Sequence, residues 1–434
     1  MDKEVEIIEL ETDLDRELEA FGKGKMLNNA PKFDPNLYYY TSEFTDLVEE
    51  YLPTVMKLKR PSGETQWKYF NHIFWFLSNL LRAQVIYNGW VAISMSKSTY
   101  SSRYMKNISY RQLIVNTVNQ WIEMGLLEKV TGVNYAGLKR LSRIRAAGEL
   151  AAKLNAIEID MSEFRYATRG KEWIELRGIP VSQFNKETRR MAKYNPKIEY
   201  EDTDETNRMR ENLNDLNSLI ANTKIDLFVT DEEFKNVFTD HSDGYLRPLD
   251  LTKKYITRKF THGSFEKGGR FYEGWWMAIP KDYRRYITID GVPTVECDYT
   301  GIHPTMLYYL AKETRPYDDP YHIPAITNLI DRGSIKLATN VMINSNDYDS
   351  AIEAIEHRSE ELDKDGNPKI DLSNITALEL AQAIEGVHHR VDQFFYSGIG
   401  VGLQRMDSDI AEEIMLHFLR KGEVVLPVHD SFLV

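Results

Sequence analysis

Two short β-prone runs, each carrying one aspartate at its end, constrain this chain more than any other feature. Thr294 to Leu310 reads TVECDYTGIHPTMLYYL. Thr294, Val295 and Cys297 favour a strand, which leaves Asp298 at the strand end, and an apolar helix starts near Pro304. Gly422 to Val434 reads GEVVLPVHDSFLV. Val424, Val425, Leu426 and Val428 make a buried strand, His429 and Asp430 a tip, and Phe432 to Val434 a returning strand. The segment is therefore expected to be a hairpin with an acid at its tip. A carboxylate at a strand end is rigidly held and exposed at the rim of a sheet, where a divalent metal can reach it. Two strands presenting one aspartate each can share a pair of Mg²⁺ ions about 3.5–4 Å apart, the arrangement that serves in-line phosphoryl transfer. Mg²⁺ takes few protein carboxylates and completes its shell with water and substrate phosphates, so two acids suffice. Singly, a strand-end aspartate is more often a cap or turn residue. The conjunction carries the case.

The remaining chain bounds the setting. With 434 residues, 42% hydrophobic and 28% charged, it can build two or three domains with their own cores, and the expected class is α+β. No apolar run approaches the roughly 18 residues of a membrane span. The acidic N-terminus lacks the features of a secretory signal. A single cysteine, Cys297, excludes an internal disulfide and fits a reducing cytoplasm. Residues 1–37 read as an acidic lead segment with a short helical stretch, Ile7 to Leu18. Residues 38–160 read as a mainly helical, winged-helix-like domain, 161–206 as an irregular connector, and 207–434 as the domain bearing the two acids. That last domain begins with Met209, Leu213, Leu216 and Ile220 at helical spacing, and Lys364 to Pro368 is a turn or insertion tip within it.

Within 38–160, Trp67 to Leu81 is expected to be a buried helix, and Ser109 to Gly125 an amphipathic one with Gly125 as its C-cap. Leu126 to Val130 follows as a strand, Thr131 to Arg140 as a polar tip and Leu141 to Arg145 as a returning strand, the order of a winged helix. Lys139, Arg140, Arg143 and Arg145 on the tip and return suit phosphate contacts. Winged helices also serve as protein-interaction modules, so both roles stay open. A net charge of −12 argues against nucleic acid as a partner of the whole surface. Its distribution qualifies that. Residues 1–20 hold nine acids against Lys3 and Arg16, whereas 247–285 hold ten Lys/Arg against Asp250, Glu266, Glu273 and Asp282. One groove can be basic while the rest of the surface stays acidic; the plain alternative is a solvated charged face.

Joined to the two aspartates, the order of motifs resembles the family A DNA polymerases. Asp298-Tyr299-Thr300-Gly301-Ile302 is similar to their motif A, Asp-Tyr-Ser-x-Ile-Glu, and Val428-His429-Asp430 to their motif C, Val-His-Asp. Gly269-Arg270, followed by Ile279-Pro280 and Arg284-Arg285, is similar to the Thr-Gly-Arg…Asn-Ile-Pro stretch before motif A. Arg332-x3-Lys336 has the spacing of motif B, and Leu403-Gln404 with Asp409-Ile410 matches the Gln-x4-Asp-Ile helix before the catalytic hairpin. Five elements stand in family order over residues 247–434. The resemblance implies a palm built on an antiparallel sheet with helical fingers, and two Mg²⁺ ions, replaceable by Mn²⁺, on Asp298 and Asp430. It also implies a DNA template or primer and nucleoside triphosphates as partners, no membrane, a cytoplasmic location and a phage or mobile-element type. Arg332 and Lys336 would meet the β/γ-phosphates, and His429 would sit by the primer terminus. Tyr299, His303, Asn340 and Asn344 would lie at the nucleotide and its sugar. Arg270, Gln404, Arg284 and Arg285 would contact nucleic acid. Phe271, Tyr272, Trp275 and Trp276 read as packing residues first and base-stacking residues second.

Three departures redirect the expectation. His303 stands where the DNA-polymerising members carry the Glu that excludes ribonucleotides. Motif C continues into Ser431, as in the single-subunit phage RNA polymerases, where family A usually has Glu. Asn340 and Asn344 stand where an aromatic would stack on the incoming base. No acid-rich exonuclease pattern precedes residue 247, so proofreading is not expected. The sequence ends at Val434, shortly after Asp430, which is expected either of a shortened form or of a hairpin that closes on very little. The function expected is a template-directed nucleotidyltransferase, of DNA-polymerase or of primase and RNA-polymerase type, with sugar choice and primer dependence open. The alternatives are a non-catalytic nucleic-acid-binding replication-initiation protein on the same scaffold, and a nuclease using the same acids.

Overall fold

The structure, a computed structural model, describes residues 29–434 except 57–61, 106–107, 133, 136–137, 140, 169, 186–189, 241–245 and 364. Among the described residues the fold is α+β, with helices set around several small, mostly antiparallel sheets. It opens with a strand, β1 (Leu37–Tyr39), and two helices, α1 (Ser42–Val55) and α2 (Gly63–Ile86). The Ser62 hydroxyl accepts from the Thr65 amide at 3.3 Å to start α2. The apolar stripe of α2 buries Ile73, Phe74, Leu77, Leu80 and Leu81, as a 3.6-residue period requires. The helix outruns the expected Trp67–Leu81 at both ends. Trp67 itself is 65% exposed, because the first two turns project beyond the core.

The next helical stretch is π-helical over Arg111–Asn119 and runs into Gln120–Glu123. It buries Leu113, Ile114, Val118 and Trp121 and stops at Gly125, whose φ of +72° suits glycine. β2 (Val91–Ile93), β3 (Leu127–Val130) and β4 (Ser142–Ala146) form an antiparallel sheet in the order β2-β4-β3. The expected helix, strand, tip and strand follow one another, and β2 joins as a strand that the sequence reading did not mark. Arg143 and Arg145 alternate on β4 with the buried Ser142, Ile144 and Ala146. Arg145 is ion-paired with Glu128 at 2.5 Å and lies over the Trp90 ring. The side chain of Lys139 and all of Arg140 lie outside the described residues, as does the acidic stretch 1–28.

Residues 161–206 are not irregular. β5 (Phe164–Tyr166) pairs with β1. β6 (Ile174–Leu176) is buried throughout and pairs in parallel with β7 (Thr257–Thr261), itself antiparallel to β8 (Ser264–Tyr272). Polar residues hid β6 from the sequence: its central Glu175 is buried and answered by Arg177 at 2.7 Å and by Lys197. α3 (Asp204–Asn222) buries the predicted Met209, Leu213, Leu216 and Ile220. One apolar core therefore runs from Phe33 to Leu433, and Tyr87 donates to Asp250 at 2.9 Å across it. The division between cores does not fall at 160 or 206.

It falls near residue 302. β9 (Glu296–Asp298) leads into α4 (Ile302–Ala311), α5 (Arg332–Asn344), α6 (Tyr348–Glu360) and α7 (Ala377–Val387). These helices surround a second core that includes Ile323, Ile335, Met342, Leu380 and Ile384. α8 (Gly400–Leu419) returns the chain: Leu403 belongs to the second core, Ala411 and Met415 to the first. A buried arginine on β7, Arg258, clamps α8 to the first core. It donates to Glu412 at 2.7 Å, Asp409 at 2.5 Å, Ser408 at 3.0 Å and the Gly269 carbonyl at 2.8 Å. The hairpin β10 (Leu426–Val428) and β11 (Ser431–Leu433) then completes a sheet ordered β9-β11-β10.

Candidate active site

Asp298 and Asp430 come to one edge of that sheet. β11 is its central strand, with Ser431 opposite Asp298 on one side and opposite Val428 on the other. Asp298 thus ends β9 beside the residue that follows Asp430. Both strands of the hairpin are buried throughout, so both faces pack, and the two-residue tip sets the register. Both aspartates are exposed. The tip is a two-residue loop with φ at +58° on His429, the pattern of a type II′ turn, in which glycine is the usual first residue. A histidine held there costs on the order of 1 kcal/mol or more, an expense that points to a use for its side chain. On the other side, Gly301 takes φ +66°, and a Cβ on it would lie 2.3 Å from Pro320 Cγ. That left-handed cap starts α4 at Ile302, earlier than the predicted Pro304. Between Asp298 and Gly301, the Tyr299 ring stands edge-on to Phe432 at 6.3 Å.

Two polar clusters flank the acid pair. In the first, Asp407 of α8 is buried, and Arg270 of β8 donates to it from Nε at 3.1 and 3.2 Å and from its terminal nitrogen. His303 Nε2 lies 3.0 Å from the same carboxylate and 3.3 Å from the Arg270 guanidinium. Arg270 and His303, expected at nucleic acid and at the sugar, are thus tied to a carboxylate that the sequence reading passed over. Burial disfavours the Arg270 charge, and Asp407 with Asp430 more than restores it. In the second cluster, Glu296 Oε1 accepts from Ser431 Oγ at 2.8 Å and from Arg284 at 3.0 Å. Glu296 shares Asp298's face of β9 by strand alternation, and Arg284 is engaged there. Arg285 is exposed and donates to the Tyr286 hydroxyl at 2.8 Å. His429 lies near both clusters, edge-on to Tyr272 at 6.2 Å. His429 is exposed at the tip, but desolvation by the surrounding protein pushes its pKa below the usual value and the Arg270 charge adds to this, against Asp430.

The helix α5 carries the third group. Asp331 caps it by accepting from the Ser334 amide at 3.0 Å. Arg332, Lys336, Asn340 and Asn344 follow at four-residue intervals along one stripe. Lys336 is exposed and has no ion-pair partner among the described residues. Arg332 is engaged by Asp319, which accepts from Nε at 2.6 Å and from a terminal nitrogen at 2.9 Å. Asn344 donates to the Asn340 carbonyl at 2.7 Å, and a Cβ on Gly400 would lie 2.0 Å from its Oδ1. It lies at the junction with α8 and stays exposed. The Arg332 guanidinium lies 5.1 Å from the centre of the buried Tyr321 ring. Burial pushes the Tyr321 phenol up to about 12; Arg332 opposes this, while Asp319, Asp430 and Asp298 add to it. The preceding Pro320 packs on Gly301, three residues after Asp298, which brings this loop to the side of the site that bears Asp298.

Gln404 is half-buried on α8 and makes no side-chain hydrogen bond among the described residues. Phe271, Trp275 and Trp276 are buried, the packing role expected first, and Trp276 supports the hairpin by donating to the Pro427 carbonyl at 3.0 Å. Asp407, Glu296, Asp319 and Tyr321 were missed from sequence. Only Glu296 had a local signal, its place two residues before Asp298. Among the described residues no three His, Cys, Asp or Glu gather as a metal cage. Two exposed carboxylates are still hard oxygen donors of the number that Mg²⁺ takes beside substrate phosphates. No protein-family model matches the chain, and neither a curated protein nor a solved structure does.

Proposed function

We propose that this protein is a template-directed nucleotidyltransferase of the family A polymerase type. In this reading the β9-β11-β10 sheet is the palm, α4 to α7 are helical fingers, and residues 38–160 are a winged-helix-like module that engages template or origin DNA. One observation carries the proposal: Asp298 and Asp430, far apart in sequence, end neighbouring positions at one sheet edge. Asp298 and Asp430 would hold two Mg²⁺ ions, which activate a 3′-hydroxyl and neutralise the leaving pyrophosphate. The His429 ring would hydrogen-bond the primer terminus. Arg332 and Lys336 would grip the β/γ-phosphates, with Tyr299 and Asn340 beside the nucleotide. Arg270 and His303, buttressed by Asp407, would line the sugar and the minor-groove side of the primer. The nucleotide partners and soluble chemistry fit a cytoplasmic replication protein of a phage or mobile element.

Primer extension with Mg²⁺, run separately with dNTPs and NTPs, tests this and reads sugar choice in the same gel. Asp298→Ala and Asp430→Ala should each lower incorporation by about three orders of magnitude, the scale on which a charged group acts in phosphoryl transfer. Undiminished incorporation by either variant would sink the proposal. Products shorter than the input strand would assign the acids to a nuclease instead. One observation favours a second reading, a non-catalytic nucleic-acid-binding initiation protein: Asn344 and Arg270 are already engaged within the protein. That reading requires salt-sensitive DNA binding that survives loss of both aspartates, with no turnover.

A further inference from the structure

Arg332 meets the site through a loop that none of the sequence motifs includes. Asp319 takes two of its donors, Nε and one terminal nitrogen, in a bidentate contact at 2.6 and 2.9 Å. The other terminal nitrogen has no protein partner among the described residues. We propose that Asp319 is a positioning residue for phosphate: it holds the Arg332 fork over Tyr321 so that its free edge receives the triphosphate or the departing pyrophosphate. The inference rests on the nucleotidyltransferase reading above.

An exposed ion pair on a mobile loop would carry little meaning. This loop is held from three sides. Asp319 Oδ1 accepts from the Tyr321 amide and its carbonyl from the His322 amide, both at 3.1 Å. Pro320 fills the space left by the missing side chain of Gly301, in the turn that follows Asp298. The Pro320 carbonyl accepts from the buried His388 Nε2 at 2.8 Å, and the other nitrogen of that ring takes the Tyr308 hydroxyl at 2.9 Å. Asp319 is therefore in rigid register with Asp298, and Arg332 inherits that register through a planar two-point contact. A free arginine loses side-chain freedom when it binds phosphate; one already fixed has lost it on folding, so less opposes binding. Lys336, one turn along α5 and exposed, adds a charge on the same stripe that has no ion-pair partner among the described residues.

The test is a double-mutant cycle on the full chain, with Asp319→Ala, Asp319→Asn, Arg332→Ala and the double variant D319A/R332A. Nucleotide KM and kcat are read in Mg²⁺-dependent extension, and Kd for the same triphosphate by equilibrium binding without primer. Both Asp319 variants should raise KM and Kd about tenfold, the scale of losing a supporting shell, and leave kcat within about twofold. The double variant should be no worse than Arg332→Ala alone, because Asp319 acts only through Arg332. Unchanged or lower KM in the Asp319 variants overturns the proposal, the latter because Asp319 would then compete with phosphate. Multiplying losses in the double variant overturn it as well. A wild-type chain that neither binds nor joins nucleotides sinks the nucleotidyltransferase reading itself, whereas wild-type extension with unaltered Asp319 variants sinks only the role of Asp319.

Discussion

At the tip of the hairpin, the backbone and side chain of His429 have opposed interests. Its φ of +58° suits glycine, yet its ring packs against Tyr272 and sits among Arg270, Arg284 and Asp430. His429→Gly should raise stability by about 0.5–1 kcal/mol through relief of the left-handed backbone, measured by urea unfolding, while primer extension falls. A variant that loses stability would show that ring packing outweighs the strain. Gly301 presents the opposite case, in which backbone and packing agree. A methyl group there meets Pro320 at 2.3 Å in a left-handed conformation, so Gly301→Ala should cost about 1–3 kcal/mol. It should also reduce extension beyond what the lost stability explains, because the same turn carries Asp298. Equal effects on the two readouts would remove that link.

Among the elements, α8 joins both cores, and its anchorage is electrostatic. Arg258 is wholly buried between Glu412, Asp409 and Ser408. Arg258→Met fills similar space but leaves Glu412, 12% exposed on its side chain, without its cation. A loss of about 3–5 kcal/mol is expected, the usual result of breaking a buried pair from one side, and denaturant unfolding would read it. Two other element contacts depend on neutral histidines. His72 of α2 donates to the Lys68 carbonyl at 2.6 Å and accepts from the Ser109 amide at 3.0 Å, and His388 holds the Pro320 loop. Burial lowers the pKa of both rings. Their contribution is therefore complete above about pH 6.5, the unfolded value, and is lost as pH falls through the lower folded values. The urea midpoint should drop between pH 7.5 and 5.5. His388→Gln should flatten that slope, and an unchanged slope would exclude His388 as a contributor.

The whole molecule carries two apolar cores, and the acid pair lies where they meet. The first core spans Phe33 to Leu433 and the second is confined to α4 through the start of α8. Protection from amide exchange should divide the same way, with residues 302–403 opening as one unit at a free energy distinct from the remainder. A single protection class across the molecule would contradict that. Partition at this scale also bears on function, because Arg332 and Lys336 ride on the second core while Asp298 and Asp430 belong to the first. The packing of Pro320 on Gly301 is what ties the two sets of residues together across that boundary.

By itself the sequence determined the elements whose cause is local. The period of α2 and α3, the stop at Gly125, the strand that delivers Asp298 and the two-residue tip that bears Asp430 all follow from neighbouring residues, and each is present. It also singled out the two aspartates that meet. Only the tertiary structure decided what those residues touch. Glu175 reads as a polar loop residue until β6 is paired with β7, and Arg270 as a free cation until α8 brings Asp407 beneath it. Asp319 is silent until its loop reaches Arg332, and nothing near Asn344 in sequence announces that Gly400 will lie against it. Periodicity and turn chemistry are properties of a short stretch of chain. Ion pairing and close packing are relations between distant stretches, and no single stretch contains them.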